Sequence, residues 1–197
     1  MKRKLALNKW RLFMKILDVC TLKSGFQGKT NEGEGFKLIK LKDVTKDDVI
    51  RYDELESFSA DKVNEKFLLK KGDIILKAKS GDNTAALIKE DIENVVAASH
   101  FIVITVNDDT VLSPEYLVAY LNSEYAQDYF KKHAEGTALP IVKIKTLEDL
   151  EIKELDMDKQ LEVANMYNLI KEEKLTMEKL IENREKQFKA YLRELLG

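Results

Sequence analysis

The last forty residues constrain this chain more than any other stretch. From Met157 to Leu195 there is neither glycine nor proline, and apolar side chains recur at alternating steps of four and three: Val163, Tyr167, Ile170, Met177, Ile181, Phe188, Tyr191 and Leu195. A period of about 3.5 residues is that of a coiled-coil seam, which needs a second helix to cover it. At the α-helical rise the segment is about 60 Å long, far beyond an ordinary globular helix. Lys174 and Arg184 fall on the seam. Polar seam positions favour one register at a cost in stability, although long basic stems also snorkel past a seam. Leu169, Leu175, Leu180, Leu192 and Leu196 lie off the main line and widen the apolar surface.

Ahead of this rod lies enough chain for one good-sized globular head. Apolar residues make up 44% of the sequence, enough for a core. The single cysteine, Cys20, excludes an intrachain disulfide framework and a cysteine-based zinc site. It fits a reducing cytoplasm and reads as a small core residue between Val19 and Leu22. No apolar run has the length to span a bilayer. The segment from Glu151 onward holds nine basic and eleven acidic residues, which leaves 24 of each sign before it. A head that held DNA alone would carry a basic surplus, so a DNA-binding head would share phosphate neutralisation with another subunit.

The spacing predicts an α+β fold. Residues 1–16 are basic, with Trp10, Leu12, Phe13 and Ile16 as apolar anchors, and read as an amphipathic segment packed on the head or as a phosphate-contacting arm. Residues 17–106 read mainly as strands: Phe36–Leu41, Phe67–Leu69, Ile74–Leu76 and Val95–Val106. The last alternates with both faces largely apolar, which predicts one central, two-sided strand. Lys29–Gly35 reads as a flexible loop. Ser113-Pro114-Glu115 is a helix start, with Ser as cap, Pro in the first turn and Glu near the positive end of the dipole. The predicted helix runs to about His133 with Leu117, Tyr120, Leu121 and Tyr125 inward. Residues 141–152 read as one or two short strands.

An enzymatic reading finds no phosphate-binding glycine loop. His100 reads as a core histidine, and adjacent Ser99 and His100 on a strand would point to opposite faces, so they form no dyad. Asp47 and Asp48 read as a polar loop rather than a metal pair. Catalytic residues, metal and cofactors are therefore all expected to be none. Three loops rich in Lys, Ser, Thr, Asn and Gln remain: Lys23–Thr30, Lys77–Thr84 and Lys131–Thr137. Such residues contact phosphates and base edges, although exposed loops in general favour them.

The order of segments carries more. A Trp is followed by Leu17-Asp18-Val19-Cys20 and Lys23-Ser24-Gly25; then come Leu69-Lys70-Lys71-Gly72-Asp73-Ile74-Ile75-Leu76 with Gly81, and Ala98-Ser99-His100-Phe101-Ile102-Val103. Ser113-Pro114-Glu115-Tyr116-Leu117 runs into Tyr120-Leu121-Asn122-Ser123, followed by Gly136-Thr137, Leu147-Glu148-Asp149-Leu150-Glu151-Ile152 and Gln160 at the head of the last helix. From about Trp10 to the end, this succession resembles the specificity (S) subunits of type I restriction–modification systems. It departs from them before the helix, where a Pro-rich approach is replaced by Ile152–Asp158.

The resemblance implies a non-catalytic, cytoplasmic DNA-recognition subunit in half-length form. Residues 1–152 would be a mixed β-sheet target recognition domain with packed helices. Residues 153–197 would be one long C-terminal coiled-coil α-helix acting as spacer. Its partners would be double-stranded DNA, a second copy of itself in an antiparallel homodimer, the DNA adenine methyltransferase (M) subunits and, through that complex, the restriction (R) subunits, with no membrane. The expected DNA contacts are Ser24, Gln27, Lys29, Thr30, Lys77, Lys79, Ser80, Asn83, Thr84, Lys132, His133, Thr137 and Lys143. Gly72-Asp73 is expected to be a turn. Arg184 joins the eight seam residues as the expected helix–helix interface. The alternative is an S-like module that binds M subunits without reading DNA.

Overall fold

A computed structural model describes residues 13–60, 62–136 and 140–197; Trp10, Leu12 and Thr137 lie outside them. The expected α+β class is what it has, with a long C-terminal helix. The elements, in order, are β1 (Phe13–Lys15), α1 (Ile16–Val19), β2 (Cys20–Ser24), β3 (Asn31–Ile39), β4 (Glu56–Ser59), β5 (Ile74–Lys77), β6 (Ala85–Leu87), β7 (Val95–Ala97) and β8 (Phe101–Val106). Helices α2 (Pro114–Leu121), α3 (Glu124–His133) and α4 (Ile144–Glu148), strand β9 (Glu151–Lys153) and α5 (Met157–Leu196) follow.

Two sheets and a ribbon form the head. Antiparallel β2-β8-β5-β6 is the central sheet, β4-β3-β7 is mixed with β3 and β7 parallel, and β1 pairs with β9. Side-chain alternation explains why the central sheet is buried on both faces. Ile74, Leu76, Ile102 and Ile104 join Leu117, Leu121, Phe130 and Leu147 in one apolar cluster under the helices. Ile75, Phe101 and Val103 face the other way, onto Ile39, Val95 and Ala97 of the mixed sheet. A third cluster holds Phe26, Phe58 and Val96, with ring centroids of Phe26 5.7 Å from Phe58 and 5.6 Å from Phe67.

The run Val95–Val106 is thus not one strand. It turns at Ala98–His100 and is divided between two sheets. Only β8 is central and two-sided. The break holds because Gly25 lets another segment approach: its N–H donates to Phe101 O (3.0 Å) and that of Phe26 to Ala97 O (2.7 Å). A Cβ on Gly25 would sit 2.1 Å from Ala98 O. His100 is exposed in this turn instead of buried, since no strand remains there to carry it inward.

Four further expectations change. The helix from Ser113 breaks at Asn122, because Ser123 caps a new helix by accepting from Ala126 N. The rotation leaves Tyr125 exposed, while Leu117 and Leu121 are buried. Of Lys29–Gly35, residues from Asn31 onward belong to β3, with Gly33 and Gly35 at positive φ. Residues 141–152 contribute the helix α4 and the start of β9, while Phe67–Leu69 leaves a 3-10 turn by an isolated bridge of Leu68 to Val96. Gly72-Asp73 is the expected turn: Asp73 accepts from Lys70 N at 2.9 Å and from Thr105 Oγ1 at 2.7 Å.

Helix α5 docks by its first turns. Asp156 caps it, accepting from Lys159 N at 2.9 Å. Gln160, 1% exposed, accepts from Ser113 N at 2.8 Å and donates to Val111 O and Leu155 O at 2.9 Å each. Ala164 is buried beside it. No described helix is long and apolar enough to cross a membrane.

Two substitutions test these joints in urea denaturation. Gln160→Leu leaves one buried N–H and two carbonyls without their partner, and should cost about 3 kcal/mol at about 1 kcal/mol or more per group. Gly25→Ala must push backbone apart and should cost about 1–3 kcal/mol.

Candidate nucleic-acid interface

Loops far apart in sequence meet around the Ala98–His100 turn. Phe26 bridges Ala98, and the N–H groups of Ala78 (2.9 Å) and Lys79 (3.2 Å) both donate to His100 O. Val142 N donates to Ala78 O at 2.9 Å, and Ile141 bridges both Lys79 and Glu135. The Ser24–Thr30 and Lys77–Thr84 segments, with Glu135 and Ile141–Val142, are therefore tied by main-chain bonds into one neighbourhood.

The expected contact residues separate into two kinds, and Lys132 and His133, at the end of α3, are not among those the main-chain bonds bring together. Ser24, Gln27, Lys29, Thr30, Lys132, His133 and Lys143 are exposed, and Lys79 and Ser80 are half-buried. Lys77, Asn83 and Thr84 are buried, which corrects their assignment as contacts. Lys77 N donates to Thr84 O (3.0 Å), Asn83 Nδ2 donates to Lys77 O (2.8 Å), and Lys77 Nζ pairs with Asp82 (3.2 Å). These bonds brace the loop from inside and leave Lys79, Ser80 and Gly81 as its tip. Ser80 also donates to Asp82 at 3.1 Å.

At the end of α3 the His133 ring lies on Tyr129, centroids 4.1 Å apart, and its Nδ1–H donates to Tyr129 O at 2.8 Å. Lys143 pairs with Glu135 at 2.5 Å. A shallow groove beside these loops is lined by Phe26, Thr30, Lys40, Lys42, Ser99 and His100. Lys40 and Lys42 converge on Glu56 and hold its carboxyl well below the usual carboxylate range, by hydrogen bonds first and charge second. Sequence reasoning missed Ser99, His100, Lys40 and Lys42. A signal for the first two existed: a Ser-His pair in the middle of an apolar run breaks the alternation that a buried strand needs. Glu56 and Glu135 offset part of the charge of Lys40, Lys42 and Lys143.

The long helix divides similarly. Ile170, Met177, Ile181, Phe188, Tyr191 and Leu195 are each more than half exposed and Val163 is 39% exposed. Arg184 lies 3.4 Å from Gln187, on its own helix. Tyr167 turns inward instead, which corrects its place on the helix–helix interface. Its hydroxyl donates to Asp48 (2.9 Å) and accepts from Asn122 Nδ2 (3.0 Å). Burial, with Asp48 beside it, pushes the phenol pKa up and keeps it a donor. Lys171 pairs with Asp48 and Lys174 with Asp47, so Lys174 serves the head rather than the seam. Buried Cys20, its thiol pushed up to about 12 by desolvation, is the expected inert core residue.

Comparison with known proteins places this geometry. A family model described as the TaqI-like C-terminal specificity domain matches residues 37–152. No curated protein matches the chain. Among solved structures, one described as showing complex assembly and conformational transition of the type I R-M system superposes with a TM-score of 0.66 at 15% identity, over 90% of this chain and 42% of that one. The S subunit of a type I restriction–modification system from M. genitalium gives 0.58 at 19%, over 94% and 46%. The HsdS subunit from Thermoanaerobacter tengcongensis gives 0.64 at 15%, over 89% and 45%. The chain thus spans less than half the length of these solved chains, and at such identities the likeness is one of fold.

The division between braces and tips has a direct check. Lys77→Ala removes a buried stem and the partner of the part-exposed Asp82 and should lower stability by about 1–2 kcal/mol, whereas Lys79→Ala should stay within about 0.5 kcal/mol of the parent. Thermal melts of the two variants read the difference.

Proposed function

We propose that this chain, which belongs to the TaqI-like C-terminal specificity domain family, is a non-catalytic DNA-recognition subunit that directs methyltransferase and restriction subunits to a bipartite site. One observation carries this reading: the family-matched head gathers polar segments into one neighbourhood and continues into a helix whose apolar stripe has no cover among the described residues. In this reading residues 1–152 form the reading domain and residues 153–197 the arm.

Base contacts fall to side chains at the surface of the loops. Gln27 suits the adenine edge, and Lys29 and Lys79 suit guanine or phosphate. Ser24, Thr30, Ser80, Lys132, His133 and Lys143 serve as further polar and phosphate contacts, and His100 joins them from the turn. Lys77, Asn83 and Thr84 act indirectly, by holding the Lys79–Gly81 tip in one shape. The head's near-neutral charge supports a division of labour in which M subunits neutralise phosphates while this chain supplies sequence discrimination.

The arm pairs with the arm of a second copy, antiparallel, through Val163, Ile170, Met177, Ile181, Phe188, Tyr191 and Leu195. Two identical heads then face two half-sites related by a two-fold axis, and the helix length sets the gap between them. Leu161, Met166 and Leu169, exposed on the helix near its base, offer a second apolar surface for an M subunit. The tail of α5 has no buried residue after Ala164. In proteins most helical stability comes from packing of an apolar face, which is why a covering partner is expected.

Two measurements test the proposal. Ile181→Glu together with Phe188→Glu should turn a dimer into a monomer in sedimentation at micromolar concentration, and a wild-type monomer even with M subunits present sinks the pairing. Co-expression with the cognate M subunit, followed by mapping of methylated adenines, should give one bipartite motif that changes when Lys79 and Ser80 are replaced. A motif indifferent to every loop substitution would leave only a protein-docking role.

A further inference from the structure

The joint between head and arm carries an inference that goes beyond the proposed reading and rests on it. Contacts of α5 with the described head cluster at two levels. Gln160 anchors the base. Eleven to fourteen residues on, Lys171 and Lys174 pair with Asp48 and Asp47, while Tyr167 bonds both Asp48 and Asn122. Past Lys174 the helix has no buried side chain and no ion pair to the described head.

Asp48 is built for the task. It sits at φ 54°, a left-handed conformation that Asp and Asn adopt more readily than other non-glycine residues. Its side chain is 3% exposed and that of Lys171 is 13%, so the pair is screened far less by salt than a surface pair. The same turn of chain presents Asp47 to Lys174, one helical turn further out.

We infer that the Asp47–Asp48 turn is a positioning element that sets the number of base pairs between the two half-sites, by fixing the angle at which the arm leaves the head. The geometry is that of a lever. From the Gln160 anchor, Lys171 is about 16 Å along the helix and Leu196 about 54 Å. A shift of about 1 Å at the clamp therefore moves the far end by about 3 Å, close to the rise of one base pair, about 3.4 Å. Helix length alone does not define the gap; the angle of the clamp contributes on the scale of a single base-pair step.

The test uses the full chain co-expressed with its M subunit. Methylation is scored on a library in which the wild-type half-sites are separated by the native gap, or by one or two base pairs fewer or more. The variants are Lys174→Ala, which is exposed, and Asp48→Asn with Lys171→Met, which removes the inner pair without leaving an unpaired buried charge. A melt of each confirms that the head is folded. Spin labels placed by Lys62→Cys and Glu194→Cys, diluted with unlabelled chain, report the head-to-tip distance within one molecule.

The expected result is a broadened or shifted distance together with methylation at gaps altered by one base pair, while half-site sequences stay the same. A variant with a changed distance and an unchanged gap overturns the inference, and so does one in which neither changes. The charge-reversed pair Asp47→Lys with Lys174→Asp should return the Lys174→Ala phenotype to the native gap; failure to do so also counts against it. Failure of the underlying reading looks different: the wild-type complex would then methylate no bipartite site at all.

Discussion

The head depends on one turn. Ala98–His100 interrupts an apolar run that would otherwise continue as a single strand, and it sends β7 into one sheet and β8 into another. Four main-chain bonds fix the reversal, from Gly25, Phe26, Ala78 and Lys79. Because backbone groups make them, these bonds tolerate variation in the loop side chains around the turn. Under the proposed reading role, that leaves the side chains of the neighbourhood open to change without loss of the turn. The requirement falls on Gly25, where any side chain would collide with a carbonyl, and not on the polar residues at the loop tips.

Much of the framework was legible beforehand. The α+β class, the cap at Ser113, the β5 strand, the Gly72-Asp73 turn and the uninterrupted last helix all follow from local rules, and each of those rules acts over a few residues. The misreadings share a cause, which is that the deciding partner is distant in sequence. Nothing near Val95–Val106 announces that Gly25 will insert there. Asn122 and Ser123 continue a helical pattern by composition, yet Asn122 is drawn away to bond Ala85 of β6. Lys77 and Asn83 look like surface residues until the loop closes on itself.

Of the three polar loops named from composition, Lys23–Thr30 and Lys77–Thr84 meet at the Ala98–His100 turn, and Lys131–Thr137 joins them, among the described residues, only through Glu135. The order of motifs pointed to type I specificity subunits, whose fold this chain has. Polar composition cannot distinguish a side chain that braces a loop from one that projects from it, because both need hydrogen-bonding groups. On the arm, periodicity placed Tyr167 and Lys174 on the seam correctly as helix geometry. It could not foresee that Tyr167 and Lys174 are drawn to the head, through Asp48 and Asp47.

Asn122 joins two functions that are usually separate. Its amide pairs with both backbone groups of Ala85 and so stands in for a further strand at the open edge of the central sheet, while the same nitrogen donates to Tyr167 on the arm. Unpaired strand edges recruit other strands. A change at Asn122 would therefore open the sheet edge and loosen the seat of the arm together, so the two cannot vary independently.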